Sequence, residues 1–289
     1  MSNDKKYALV TGATNGIGIP TVLEVARRGM HITVLCRNEK KGAQLKQQIL
    51  DETGNADVDL LVADQNSIAD VERAANDYLA SGKPLHLLIN NAGVVTTSLQ
   101  LSQDGYEQMM AVNYFSVFVL TTRLLPRLIE SGSAEEKARI VNVATEGYKL
   151  AKGIDYENIN AEKGFKTFPA YGHSKLAVML FNQSLAERLG NEPVNTYVIH
   201  PGWVDTGLGK DGSFMMNVIA AGAAKLFAKN PVQGAATTLF VAFDASTESM
   251  NGGYFSDSKF KQRKAHALDM DEANKLWLWT EQQLMRVST

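Results

Sequence analysis

Short apolar runs alternate with longer amphipathic runs along the chain. Six runs rich in Val, Ile and Leu predict buried strands, at Tyr7–Val10, His31–Cys36, Asp57–Val62, Leu85–Asn90, Arg139–Val143 and Val194–His200. Between them, helical periodicity and stop signals predict helices, at Pro20–Gly29, Glu39–Glu52, Ser67–Ser81, Gln103–Ser131 and Tyr171–Leu189. Strands that alternate with helices indicate βαβ units with right-handed crossovers. The pattern therefore predicts an α/β protein with a doubly wound sheet.

The strands are almost continuously apolar, which is typical of a parallel sheet covered by helices on both faces. No repeat or Pro/Ser-rich linker interrupts the pattern, so we expect one domain over residues 1–289, with a sheet of about seven strands. Two segments, 146–170 and 206–231, lack strong periodicity. We predict residues 206–231 to be a substrate-binding lid, with a surface helix packed on the body as an equal alternative.

Composition narrows the functional classes. The chain has 29 Lys plus Arg residues and 31 Asp plus Glu residues, so its net charge is −2. It therefore lacks the excess of basic residues that is typical of nucleic-acid-binding proteins. Cys36 is the single cysteine, and His31, His86 and His266 have no metal-like partners in the sequence, so we expect no disulfide and no metal site. The apolar run 108–122 has only 15 residues, too few for a membrane span. We therefore expect a cytoplasmic protein without a transmembrane anchor.

The first strand runs directly into a glycine-rich loop, Thr11–Gly18, and a helix follows. Glycines let a backbone turn sharply beside a pyrophosphate, and a helix N-terminus offers free N–H groups to it. The loop predicts a dinucleotide site formed by Gly12, Thr14, Asn15, Gly16, Ile17 and Gly18. The alternative is an ordinary glycine-rich turn.

Arg37 follows the second strand, at the position that meets the cofactor ribose. An acidic residue there would bind a free 2′-hydroxyl, whereas an arginine accommodates a 2′-phosphate. We therefore predict NADP(H) in preference to NAD(H), although the neutral Asn15 supplies no second basic contact. The alternative is that Arg37 caps a helix or solvates a loop.

Tyr171 and Lys175 lie four positions apart and so share one helix face. A phenol has a pKa near 10, and a neighbouring ammonium lowers it. Lowering it to about 7 takes about 4 kcal/mol, which Lys175 and a bound nicotinamide could supply. Such a pair is common on helix surfaces, but beside a nucleotide site it indicates acid–base chemistry.

These residues resemble the short-chain dehydrogenase/reductase superfamily over nearly the whole chain, which implies a Rossmann fold. The shared motifs are Thr11-Gly12-x3-Gly16-x-Gly18, Asp64, Asn90-Asn91-Ala92-Gly93, Asn113, Tyr171-x3-Lys175 and His200-Pro201-Gly202. The sequence is most similar to the retinol-dehydrogenase-like branch of this superfamily in four segments: Cys36-Arg37-Asn38, Tyr171 to Ala177, Pro231 to Ala235 and Tyr254 to Asp257.

The resemblance implies roles for individual residues. Tyr171 exchanges the proton, Lys175 also binds the nicotinamide ribose, and Asn113 bends its helix and holds a water that links Lys175 to solvent. Asp64 binds the adenine. The further implied cofactor contacts are Gln65, Asn91, Ala92, Gly93, Pro201, Gly202, Val204 and Thr206.

One position departs from the family pattern. Two serines are expected after the fifth strand, but Ala144 and Thr145 stand there, with Thr145 in the catalytic position 26 residues before Tyr171. A threonine hydroxyl donates the same hydrogen bond, while its methyl group crowds the site. The alternative is a structural Thr145 in a weak or inactive enzyme.

The sequence thus predicts an NADP(H)-dependent oxidoreductase acting on the carbonyl or alcohol of a small apolar substrate, such as a lipid aldehyde, retinoid or steroid. The sequence leaves the oligomeric state undecided between a monomer and an assembly such as a homodimer. The alternative is a non-catalytic NADP(H)-binding sensor or scaffold protein. The presence of both Tyr171 and Lys175 argues against this alternative, whereas Thr145 in place of the usual catalytic serine is compatible with it.

Overall fold

The computed structural model describes residues 5–204 and 229–287. Within these ranges, eight strands form one sheet in the order β3-β2-β1-β4-β5-β6-β7-β8. The strands are β1 Tyr7–Thr11, β2 His31–Cys36, β3 Val58–Val62, β4 Leu87–Asn90, β5 Ala138–Val143, β6 Val194–His200, β7 Tyr254–Ser256 and β8 Lys259–Phe260. The predicted doubly wound α/β fold is confirmed.

The eighth strand is the difference from the prediction of about seven. β8 pairs antiparallel with β7, whereas the other neighbours pair in parallel. The turn between them uses Asp257 and Ser258, with φ of 53° and 56°, as a tight hairpin turn with two left-handed residues requires. These two strands have three and two residues, too few to produce a hydrophobic period.

Helices cover both faces of the sheet. They are α1 Gly18–Arg27, α2 Glu39–Thr53, α3 Ile68–Ala80, α4 Gln108–Met110, α5 Ser116–Ser131, α6 Thr167–Leu189, α7 Pro231–Phe243 and α8 Met270–Val287. Alternate strand residues face opposite sides, so Leu9 joins a core with α3, α5, α6 and α8, and Val10 joins a core with α1, α2 and α7. The strand order reverses between β1 and β4, which opens a crevice at the carboxyl ends of the strands.

Two helix boundaries differ from the prediction and move candidate site residues. α6 begins at Thr167, so Tyr171 lies one turn inside the helix rather than at its start. Pro169 fits in this first turn because N–H groups there have no helical partner. The predicted helix from Gln103 begins only at Gln108, where Glu107 caps it by accepting from the N–H groups of Met109 and Met110.

The helical stretch Gln108–Ser131 is also longer than the apolar run considered in the sequence. By length and composition it could cross a membrane, and among the described residues it is the one helix with this property. In the structure, 78% of its most apolar window is buried within the domain. The stretch therefore serves as a core helix here, while location in the cell stays a prediction.

The predicted lid, residues 206–231, lies outside the described residues apart from its last three. Of these, Asn230 caps α7, because its side chain accepts from the Gln233 N–H and the Gln233 side chain accepts in return from the Asn230 N–H. Lys229 pairs with Val204 in an isolated parallel bridge.

Candidate active site

A cleft of about 890 Å³ opens at the carboxyl ends of the central strands. The cleft is lined by nearly all the residues that the sequence predicts for cofactor binding and catalysis. It lies where the strand order reverses, between β1 and β4, as is usual for ligand sites in such sheets. Gly18 and Asn113 lie behind the lining rather than in it, and Thr206 falls outside the described residues.

The glycine loop forms one end of the cleft. Gly12 and Gly16 have positive φ, 63° and 53°. A Cβ on Gly12 would lie 2.6 Å from the Ala92 Cα, and one on Gly18 would lie 2.2 Å from the Gly12 carbonyl oxygen. Gly18 therefore lets α1 approach the loop closely. Ile17, at the N-cap of α1, makes no side-chain capping bond, which suits an anion at this helix end.

The loop after β4 packs directly against the glycine loop. The Asn91 amide Nδ2 donates to the carbonyl oxygens of Thr11 and Gly12 at 3.1 and 2.9 Å. The Thr11 hydroxyl accepts from the N–H groups of Asn91 and Ala92, both at 3.0 Å. Among the described residues, the buried Asn91 Oδ1 has no hydrogen-bond partner. These contacts hold the loop after β4 tightly against the glycine loop, in the place that a side chain on Gly12 would occupy.

Arg37 and Asp64 lie at the rim of the cleft, beyond β2 and β3. The Arg37 side chain is 72% exposed, and its guanidinium is 4.0 Å from Asp64 Oδ1. The cap of α2 is Asn38, whose side chain accepts from the Lys41 N–H at 3.0 Å. The alternative of Arg37 as a helix cap is therefore wrong, and its guanidinium is available to a ligand in the cleft.

Tyr171 and Lys175 line the opposite part of the cleft from one face of α6. The Lys175 ammonium donates to the Val143 carbonyl oxygen at 3.0 Å and lies 5.8 Å from the centre of the Tyr171 ring. Burial lowers the pKa of Lys175 to about 8 and raises the pKa of Tyr171 to about 12.

The sequence expectation is a Tyr171 pKa lowered by Lys175 together with a bound nicotinamide; the contribution of burial within the protein itself has the opposite direction. Removing a phenolate from water disfavours it, and the Lys175 ammonium is directed to the Val143 carbonyl rather than to the phenol oxygen. Tyr171 therefore keeps its proton at neutral pH.

Thr145 follows β5 and begins a 3-10 turn, Glu146–Leu150. Its Oγ1 accepts from the Gly147 N–H at 3.3 Å, so its own hydroxyl proton remains free for donation. A Cβ on Gly147 would lie 3.2 Å from Thr145 Cγ2 and 3.4 Å from Tyr171 Cε1. The turn therefore brings the two hydroxyl-bearing side chains to one place, and Thr145 is a cap as well as a candidate donor.

Asn113 lies on a π-helical turn, Ala111–Phe115, between α4 and α5. Its Oδ1 accepts from the Val94 N–H at 2.8 Å, and its Nδ2 donates to the Val94 carbonyl oxygen and to Ser174 Oγ. The expected irregularity of the helix at Asn113 is present, while its water-holding role stays a prediction. The side chain links the loop after Gly93 to α6 from behind the cleft.

Sequence reasoning missed most of the substrate-side wall. The wall consists mainly of apolar residues, with Gln108, Glu146 and His200 as further polar residues, and includes Val94, Val95, Val112, Leu150, Phe168 and Trp203. The Trp203 side chain is 64% exposed, an uncommon state for tryptophan. Its position directly after Pro201-Gly202 was the available signal.

Three of the other histidines make polar contacts with neighbouring residues, whereas His266 Nε2 is buried without a hydrogen-bond partner among the described residues, its ring 5.9 Å from that of Tyr148. His31 Nε2 is 2.6 Å from Asp59 Oδ2, and His173 Nε2 accepts from the Asp155 N–H at 3.0 Å. His86 Nδ1 accepts from the Tyr7 N–H. No group of three or more metal-ligating side chains occurs among the described residues.

Comparison with known proteins identifies the family. The short chain dehydrogenase family matches residues 6–215. Human retinol dehydrogenase 11 is 38% identical over 272 residues, covering 94% of this chain and 83% of that protein. Short-chain dehydrogenase TIC 32 B, chloroplastic, from Brassica napus is 37% identical over 285 residues, covering 96% and 88%. The Pseudomonas aeruginosa RhlG/NADP active-site complex is 26% identical with a TM-score of 0.70, covering 88% and 95%. The chain belongs to the short-chain dehydrogenase/reductase family of oxidoreductases and is retinol-dehydrogenase-like.

Proposed function

We propose that this protein is an NADP(H)-dependent oxidoreductase that interconverts the carbonyl and alcohol forms of an apolar substrate. One observation carries the proposal: Tyr171, Lys175 and Thr145 line the same cleft as the glycine loop and Arg37. A cofactor bound at the glycine loop and a proton donor can thus both reach one substrate in this cleft.

The residues present fit a nicotinamide dinucleotide. The loop turns beside the cleft through Gly12 and Gly16, which both have positive φ, and the buried Asn91 Oδ1 lacks a partner among the described residues. The helix end at Ile17 suits the pyrophosphate, and Arg37 suits a 2′-phosphate. When bound, the nicotinamide would supply or accept the hydride.

The chain's own residues would polarise the substrate and move the proton. The Thr145 hydroxyl would donate to the substrate oxygen, since its lone pair already accepts from Gly147. Tyr171, protonated at neutral pH, would deliver its proton to that oxygen in reduction and take it back in oxidation. Lys175, buried beside the ring, would stabilise the phenolate that reduction leaves behind.

The substrate class is proposed from the walls of the cleft. Val94, Leu150, Phe168 and Trp203 offer apolar surface in the cleft that Thr145 and Tyr171 also line. An apolar wall with a few polar groups is typical of sites for apolar carbonyl compounds. The human relative is named for retinol, which is an apolar alcohol.

The test is loss of NADPH absorbance with a panel of apolar aldehydes and ketones, repeated with NADH. Tyr171→Phe removes only the hydroxyl, so turnover should fall at least about a hundredfold while NADPH binding persists. The matched control is Tyr156→Phe, since Tyr156 lies outside the cleft and donates to Glu272. NADPH binding without turnover of any panel member by the unaltered protein would refute the enzyme and favour the sensor.

A further inference from the structure

Two polar side chains interrupt the apolar wall next to Thr145. Glu146 follows Thr145 directly, and His200 ends β6, the strand beside β5. Both line the cleft. Neither has a role in the proton transfer or in the cofactor contacts described above, so their presence in this wall needs a reason.

Glu146 is held in a fixed position. Its Oε1 accepts from the Tyr254 hydroxyl at 2.5 Å, and its Oε2 forms an ion pair with Lys149. Tyr254 is 1% exposed and lies on β7, which pairs with β6 next to His200. A carboxylate has about four acceptor positions, so two protein contacts leave Glu146 able to accept another hydrogen bond. Its side chain is 34% exposed, which leaves that capacity accessible.

His200 is a second unused polar group at this place. The residue is 7% exposed, and its Nδ1 is buried without a partner among the described residues. Burial lowers the pKa of His200 to about 4, so the ring is neutral at pH 7. Lys149 balances the charge of Glu146. The two groups thus present hydrogen-bonding capacity with almost no net charge, which suits a neutral hydroxyl better than an ion.

We propose that Glu146 and His200 form a polar subsite that selects carbonyl substrates with a hydroxyl group on a carbon close to the carbonyl. The inference rests on the proposed function, because Thr145 must hold the carbonyl oxygen. Thr145 and Glu146 both line the cleft, and His200 ends the strand beside the one that Thr145 follows. A substrate whose oxygen is held by Thr145 therefore lies in the cavity that Glu146 and His200 border, together with the apolar Leu150 and Phe168.

The experiment compares three ketones of one skeleton with NADPH: methyl octyl ketone, its derivative hydroxylated on the methyl carbon, and its derivative hydroxylated on the β carbon of the octyl chain. One hydrogen bond to a charged acceptor should raise kcat/KM about tenfold for at least one hydroxylated ketone. Glu146→Leu should reduce this preference to within about twofold, and Glu146→Gln should retain part of it, because an amide oxygen still accepts.

Matched variants separate recognition from structure. Glu130→Gln removes an exposed carboxylate on α5 outside the cleft and should leave the preference unchanged. His200→Leu removes both ring nitrogens and should weaken the preference, which tests the subsite if the Glu146 variants do not fold; an unchanged preference in this variant would overturn the assignment of His200. Equal kcat/KM for all three ketones in the unaltered protein, or full preference in Glu146→Leu, would overturn the subsite alone. Absence of turnover on all three ketones and on the wider panel would refute the proposed function, and the subsite with it.

Discussion

Replacement of Thr145 gives the sharpest test of the proposed chemistry. Its Oγ1 accepts from the Gly147 N–H at 3.3 Å, which leaves the hydroxyl proton to a substrate oxygen. Thr145→Ala removes both the acceptor and the donor. Thr145→Ser keeps both and removes only the methyl group, which packs close to Gly147. The pair of variants therefore separates the hydroxyl from the methyl.

The two losses have different sizes. Deleting a donor to the developing negative charge costs about 3 kcal/mol, so kcat/KM for Thr145→Ala should fall by about a hundredfold. Loss of the cap should cost about 1 kcal/mol of stability at most, because the bond is long and opens only a short 3-10 turn. The methyl group contributes about 0.8 kcal/mol if fully buried, and Thr145 is only half-buried. Thr145→Ser should therefore stay within about tenfold of the original kcat/KM.

The assay is kcat/KM on one active aldehyde with NADPH, together with thermal unfolding of each variant. NADPH affinity should change little, since the Thr145 hydroxyl is assigned to the substrate. If the Ala and Ser variants both retain nearly the original kcat/KM, Thr145 takes no part in the reaction and is only a cap. A large loss in both would instead assign the effect to the methyl group.

Three further predictions concern the cofactor, pH and the glycine loop. Arg37→Asp should weaken NADPH binding by about 2 kcal/mol in calorimetric titration and NADH binding far less; equal affinity of the original protein for both cofactors would contradict the assignment. Burial lowers the pKa of His200 from 6.5 to about 4, so at pH 5 the unfolded chain binds a proton at His200 that the folded chain does not. The free energy of unfolding should therefore decrease by about 2 kcal/mol as the pH is lowered from 7 to 5. His200→Gln should lose less stability in urea unfolding over that range, and an unchanged loss would exclude His200 as the cause. Gly12→Ala should cost at least about 2 kcal/mol more than Gly29→Ala, since both glycines have positive φ but only Gly12 would meet backbone atoms; equal costs would mean that the loops can separate.

Local spacing was enough to predict the elements and many residues of the site. The bounds of β2 and β6 agree with the sequence prediction, because an apolar run between turn residues is a local signal. Tyr171 and Lys175 share a face because the helix repeat is fixed by the backbone. The positions of the glycine loop and Arg37 follow from the ends of β1 and β2, where the carboxyl edge of a parallel sheet must lie.

Tertiary packing decided what these residues experience. The raised pKa of Tyr171 arises from desolvation, which depends on everything packed around the phenol. The π-helical turn at Asn113 and the β7–β8 hairpin depend on contacts across the fold and leave no periodic signal. Glu146 and Tyr254 are 108 positions apart, yet share a hydrogen bond because β5, β6 and β7 are neighbours in the sheet. Sequence periodicity determines which residues reach the cleft edge, whereas strand order and burial determine which of them meet and in what protonation state.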